Sequence, residues 1–430
     1  MYLCIMTNYR LSYNIVLLCF CYTLLLAVLP QQASAQCHTI YNQRIMSLQV
    51  VAAQRWQAMP VAEMGETVHI DFDDMTHEYR RYNYKIEHCD ADWKPSSDLF
   101  VSDYLKGFNG ELTIDNNEQS VNTNHLYTHY SLKIPNEHCQ LTMSGNYRLT
   151  VFADDDESQP MFTACFMLVD PQITVTLAVT GNTDIDIYKS HQQVSMTAVL
   201  GDVRVNDSRK QIKTVVLQNG RWDNAVRNAS PDYVSSDALQ WRHVRNLIFP
   251  AGNEYRKFEM LDLDHTTMGL DSILWDGREA HAFVMPDLPR PNYVYDESGR
   301  GAFYLRNSDN TDNDFTSDYA QVHFFLQTPP QHGEVYLNGN WTCGQFLPKY
   351  RMSYDAAAHA YRASVLLKEG YYSYQYLTVG TEGQAVPVST EGSFCETQNR
   401  YQALVYFRGT ADRTDRLLGY GEVQVKTEKP

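Results

Sequence analysis

Basic residues are scarce in this chain of 430 residues: 35 Lys and Arg stand against 51 Asp and Glu, a formal charge of −16. Counterion release on a phosphate backbone needs the opposite sign, which excludes nucleic acid as a partner. The same deficit repels anionic headgroups and favours neutral or basic partners. Long apolar runs are equally rare. Only Ile15 to Leu29 qualifies, and it falls short of the roughly 20 residues that span a bilayer. Helical periodicity is nearly absent. So are the nucleophile-elbow, phosphate-loop, dinucleotide and zinc-protease patterns; at the nearest approach, His77-Glu78, Arg81 stands where a second His belongs. Two carboxylates of a glycosidase need no fixed spacing, but acids scattered along strands read as a solvated surface. The expectation is a protein that is not an enzyme.

What is present is the composition of a folded, sheet-rich chain. Hydrophobic residues reach 43% and charged ones 20%, far from the disordered regime. The 30 tyrosines and 17 phenylalanines suit half-buried pleated surfaces. The apolar run follows Arg10 and precedes Pro30 and Ala33-Ser34-Ala35, the pattern of a cleaved signal peptide over residues 1–35 with cleavage before Gln36. A lipid anchor on Cys37 is disfavoured by the bulk of Gln36. Export permits disulfides among Cys37, Cys89, Cys139, Cys165, Cys343 and Cys395, whose pairing the sequence leaves open beside the reading as buried thiols. His88-Cys89 and His138-Cys139 suggest zinc, yet neighbouring strand residues point to opposite faces, so each doublet supplies one ligand at most. No metal is expected.

Period-2 alternation marks strands, as at Ile173, Val175, Leu177 and Val179, and at Tyr372, Tyr374 and Tyr376. Asn338-Gly339 predicts a type I′ hairpin. Breaks at Asp170-Pro171 and Thr328-Pro329-Pro330 predict three tandem β-sandwich, immunoglobulin-like domains over 37–170, 171–328 and 329–430, arranged in series. The stretches Asp154 to Glu157 and Asn307 to Asp314 read as solvated loops, the second without the Gly and distal Glu of a calcium loop.

Longer strings carry a resemblance. They include Asp71-Phe72-Asp73-Asp74, Tyr84 to Trp93 with its core Cys89-Asp90-Ala91-Asp92-Trp93, Tyr104-Leu105-Lys106-Gly107-Phe108, and Ser144-Gly145-Asn146-Tyr147. They continue with Gln218 to Ala225, Gly252 to Arg256, Leu367 to Tyr372, Glu396 to Tyr401 and Asp415 to Gly419. In this order, from about residue 45 to 420, the chain resembles the type IX secretion system plug protein family of Bacteroidota. Two features depart from it: Glu369 stands where Gln or a similar residue is expected, and the acidic loop Asp154 to Glu157 is extended. The resemblance implies a periplasmic, non-enzymatic protein that docks on the periplasmic opening of the outer-membrane translocon barrel and is peripheral to that membrane through its partner. It supplies no catalytic residue and no cofactor. Asp90, Asp92 and Trp93, at a strand end before Lys94-Pro95, are the candidate partner contact, set against the reading that these acids cap turn amides. The last third is also similar to starch- and glycogen-binding modules. In that alternative the protein is a periplasmic carbohydrate-binding module, and Trp341 and Tyr371 form its stacking platform unless Trp341 fills the core.

Overall fold

The alternating segments become strands, paired antiparallel except where Val61–Glu63 joins Pro160–Val169 and Ala280–Val284 joins Tyr319–Gln327. The structure, a computed structural model, describes residues 38–107, 112–154, 156–381 and 383–426. The expected signal peptide, its cleavage point and Cys37 lie outside the described residues. Strands dominate, helices are single turns, and the sheets are open.

Three hydrophobic cores organise the described residues. In the first lobe, the sheet holding Gly145–Ala153 and Tyr82–Cys89 faces the sheet holding Val68–Asp74 and Thr128–Ile134. Phe72 stacks on Tyr130 at 5.2 Å and meets Tyr82 and Phe162 edge-on, so rings from both sheets interlock. The second core lies between the sheet of Thr174–Thr180 and His191–Val199 and that of Ile212–Gln218, Arg400–Phe407 and Arg416–Gln424. Ile173 and Leu177 are buried in it, with Val175 and Val179 packed against it. In the third, Gly370–Val379 turns Tyr372, Tyr374 and Tyr376 inward against Phe258 and Phe324.

These cores do not follow the expected domain order throughout. Asp170-Pro171 falls between the first and second cores. The break at 328/329 separates nothing: Tyr319–Gln327 before it and Glu334–Asn338 after it line the same third core. Arg400–Phe407 leaves that core and pairs with Ile212–Gln218, matching Leu404 to Val215. The third lobe is therefore an excursion from the second, because the apolar edge of Ile212–Gln218 is completed by a strand almost two hundred residues later. Nor do the lobes stand in series; the described residues form one compact unit, with each lobe touching both others.

The Asn338-Gly339 hairpin is also corrected. Gly339 is extended, and Asn340–Thr342 forms a single 3₁₀ turn. A Cβ on Gly339 would lie 2.5 Å from Trp341 Nε1; the glycine is needed to let that indole fold back under the strand. Cys89 and Cys139 are buried free thiols, and Cys395 is a half-buried one.

Candidate functional site

The string that ends at Trp93 forms an internal joint. The strand Tyr82–Cys89 stops where the Trp93 amide donates to the Asp90 carbonyl, and Trp93 takes a left-handed conformation, φ 64°. That turn drives the Trp93 ring, 1% exposed, edge-on into Trp222 of the second lobe at 5.7 Å. Asp90 Oδ1 accepts from Thr414 Oγ1 at 2.6 Å, from the Asp415 amide at 3.0 Å and from Ser96 Oγ at 3.2 Å. Asp415 in turn takes the Ala91 amide and Lys213 Nζ. His88 closes the joint through Ser96 Oγ and the Ser144 carbonyl. Asp90 and Trp93 are thus occupied between the first two lobes. Asp92 alone faces water, where Lys94 lies 2.7 Å away.

Neither carbohydrate candidate forms an open platform. Trp341 is 7% exposed, donates to the Ser373 carbonyl and lies parallel to Phe324 in the third core. Tyr371 points the other way: its hydroxyl accepts from the Gly299 amide, and its ring meets Trp56 of the first lobe. Tyr371 and Tyr372 alternate across Gly370–Val379 and Trp341 packs against Tyr372, so the two candidate rings lie on opposite sides of that strand.

A second joint ties the first lobe to the third. Asp73 Oδ2 accepts from Lys368 Nζ at 2.7 Å and from Tyr319 OH at 2.6 Å, while His129 Nδ1 lies 2.7 Å from Oδ1. Ser47 donates to the Tyr319 oxygen, and the Lys368 ammonium sits 4.1 Å from the Tyr127 ring centroid. Burial is the strongest influence on Asp73 and would raise it, but the Lys368 charge and the His129 hydrogen bond outweigh it and hold the carboxylate below its usual range. Beside this pair, burial lifts Glu369 to about 8. Sequence reading passed over this joint. One signal was available: Asp73 follows Phe72 on a strand, so it must point away from the first core, and only another lobe can bury it there.

The third contact runs along the two connections between second and third lobes. Asn399 Nδ2 donates to Gln192 Oε1 and the Ala251 carbonyl, and Asn253 Nδ2 to the Glu391 carbonyl. Arg256 bridges Glu391 and Asp287, both also buried, and Arg290 reaches Glu391 as well. Hydrogen bonds and ion pairs at these three contacts tie the lobes to one another.

The class this defines is a multi-lobed all-β protein whose chemistry-bearing groups are spent on holding lobes together. Residues 45–170 match the model of the type 9 secretion system plug protein 1st domain. A crystal structure of a hypothetical protein from Parabacteroides merdae ATCC 43184 is 37% identical, with a TM-score of 0.87 over 90% of this chain and 99% of that one. The partial N-terminal region of an enterococcal surface protein aligns over 91% of this chain at 8% identity, with a TM-score of 0.18, too low for a shared fold. No curated protein matches. The chain belongs to the type IX secretion system plug protein family. These matches include no enzyme family. Among the described residues, no helix is long and apolar enough to cross a membrane.

Proposed function

We propose that this protein is a periplasmic, non-enzymatic plug that docks on the periplasmic opening of the outer-membrane type IX translocon barrel and closes it while no substrate passes. One observation carries the reading beyond family membership: the first lobe is clasped to both others through buried polar joints centred on Asp73 and Asp90, and the two connections between second and third lobes are bonded to each other through Asn253 and Asn399. A cover over a wide opening must not flex apart, and mutually clasped lobes supply a rigid body without needing a cofactor. The negative charge favours a basic rim.

Affinity purification of the tagged barrel tests it. The protein is expected to co-purify, in a population distinct from barrels loaded with cargo, and its deletion is expected to admit large antibiotics that intact cells exclude. A barrel that never retains the protein overturns the reading.

A further inference from the structure

Six exposed large apolar side chains flank the junction of the second and third lobes. Ile185, Ile187 and Tyr188 lie on the second-lobe loop that precedes His191–Val199, and Leu288, Val294 and Tyr295 on the third-lobe segment that follows Ala280–Val284; each is between 54 and 73% exposed. Close contacts connect the two groups. Beside Tyr188, a Cβ on Gly181 would touch both that ring and Cys395, and the Cys395 amide donates to the Lys189 carbonyl. The next residue back, Phe394, packs on Tyr293 at 6.1 Å, and the Arg290 amide donates to the Thr390 carbonyl. The segment 390–396 therefore bridges the two loops into one face across the junction of the second and third lobes.

At on the order of 100 Å² for each side chain, the six put about 600 Å² of apolar surface into water, the upper end of what a monomer's largest patch reaches. That approaches the roughly 800 Å² which one partner contributes to a standard interface. Both loops are also held in shape. Asp186 takes Thr183, Ser190 and His191 as partners, the His191 hydrogen bond holding it down at about 2, and the Tyr293 hydroxyl donates to Glu254. Apolar groups presented on fixed loops lose little conformational entropy when covered.

The rim is acidic. Asp184, Glu297 and Glu396 are exposed around the patch, while Asp296, also exposed, is paired with Lys257 at 2.6 Å. Of the bases on the same segments, Lys189 is exposed, whereas Arg290 is committed to Glu391 and the Glu254 carbonyl. We infer that this face is the docking surface of the plug, and that its occupant is a protein surface with an apolar centre and a border of Lys and Arg. The inference rests on the plug reading above, in which that occupant belongs to the translocon barrel.

The test uses the full chain with Ile187→Asp and Val294→Asp, singly and together, against Phe100→Asp, an equally exposed apolar residue of the first lobe. Unfolding midpoints establish that all variants fold, and retention on the purified tagged barrel is measured at low and high salt. The expected result is a loss of at least about tenfold for each single variant and none for Phe100→Asp. Glu297→Lys with Glu396→Lys is expected to weaken retention and flatten its salt dependence. Wild-type retention matched by the Ile187 and Val294 variants overturns the face while leaving the plug reading standing. Wild type that is not retained at all overturns both. Stronger retention of the charge-reversed variant overturns the basic partner, and a concentration-dependent dimer abolished by Val294→Asp makes the face a contact between copies and overturns the proposal.

Discussion

Lys368 Nζ lies 2.7 Å from Asp73 Oδ2 across the contact between third and first lobes, with both side chains 1% exposed. The pair is satisfied rather than merely close: Asp73 also receives Tyr319 and His129, and Lys368 also donates to the Asp314 carbonyl. Removing one partner strands the other charge, so Lys368→Met is expected to cost about 3–5 kcal/mol, and Lys368→Met with Asp73→Asn less than the single change. Denaturant titration of the three proteins checks both values. A single variant as stable as wild type would show that the ion pair holds nothing.

The same joint has a pH window. Asp73 is depressed, so its contribution is complete above its unfolded value of 3.8 and fades as pH falls through the lower folded one. For His129, burial is the largest influence and lowers it, but the hydrogen bond to Asp73 and that carboxylate's charge prevail and raise it. Its contribution is complete below 6.5 and lost as pH rises through the folded value. Asp73→Asn should therefore cost most between those limits, a dependence read from unfolding midpoints across pH 3 to 9.

Glu369 works in the opposite sense. Its folded value near 8 stands above 4.5, so the unfolded chain ionises first, and stability drains as pH climbs between the two, by up to about 1.4 kcal/mol per pH unit. Glu369→Gln keeps an oxygen to accept the Asp318 amide, which donates to the wild-type Oε2 at 3.0 Å. The variant is expected to gain on wild type steadily from pH 5 to 8. Parallel stability curves would refute a neutral Glu369.

How much of this could be read from the sequence depends on the range of the interaction. The alternation of Tyr372, Tyr374 and Tyr376 announced an inward face because strand geometry is local. The Asn338-Gly339 turn was misread because the local preference yields to Trp341, whose indole takes the Ser373 carbonyl. Nothing local could announce that Leu404 would pair with Val215, or that the polar run ending in Trp93 would be buried by a lobe whose Thr414 is more than three hundred residues away. The long strings were sufficient for the family and silent on its joints: Asp73 and Lys368 each sit inside such a string with no mark of their partnership.

Trp341 separates core from platform. Buried against Phe324, Tyr350 and Tyr372, it should cost about 3–5 kcal/mol when replaced by Ala. Wild-type protein should pass an α-glucan affinity gel unretarded. Retardation abolished by Trp341→Ala without loss of stability would revive the carbohydrate reading.

Asp90 and Asp92, two residues apart, should respond oppositely to substitution. Asp92 is half-exposed and touches only Lys94 and its own turn, so Asp92→Lys is expected to change stability by no more than about 0.5 kcal/mol, the scale of surface substitutions. Asp90→Ala removes the acceptor shared by the Thr414 and Ser96 hydroxyls and the Asp415 amide. Each buried donor left without a partner costs about 1–3 kcal/mol, although the hydroxyls can turn toward one another, being 2.7 Å apart. The main-chain amide has no such freedom, which sets the expected loss at the scale of at least one orphaned donor. Because the joint lies between lobes, the loss should also appear as faster proteolysis near Asp412 and Arg413 and weaker amide protection around Trp93, with the third core unchanged. Equal, small effects of the two substitutions would mean that Asp90 does not fasten the first lobe to the second.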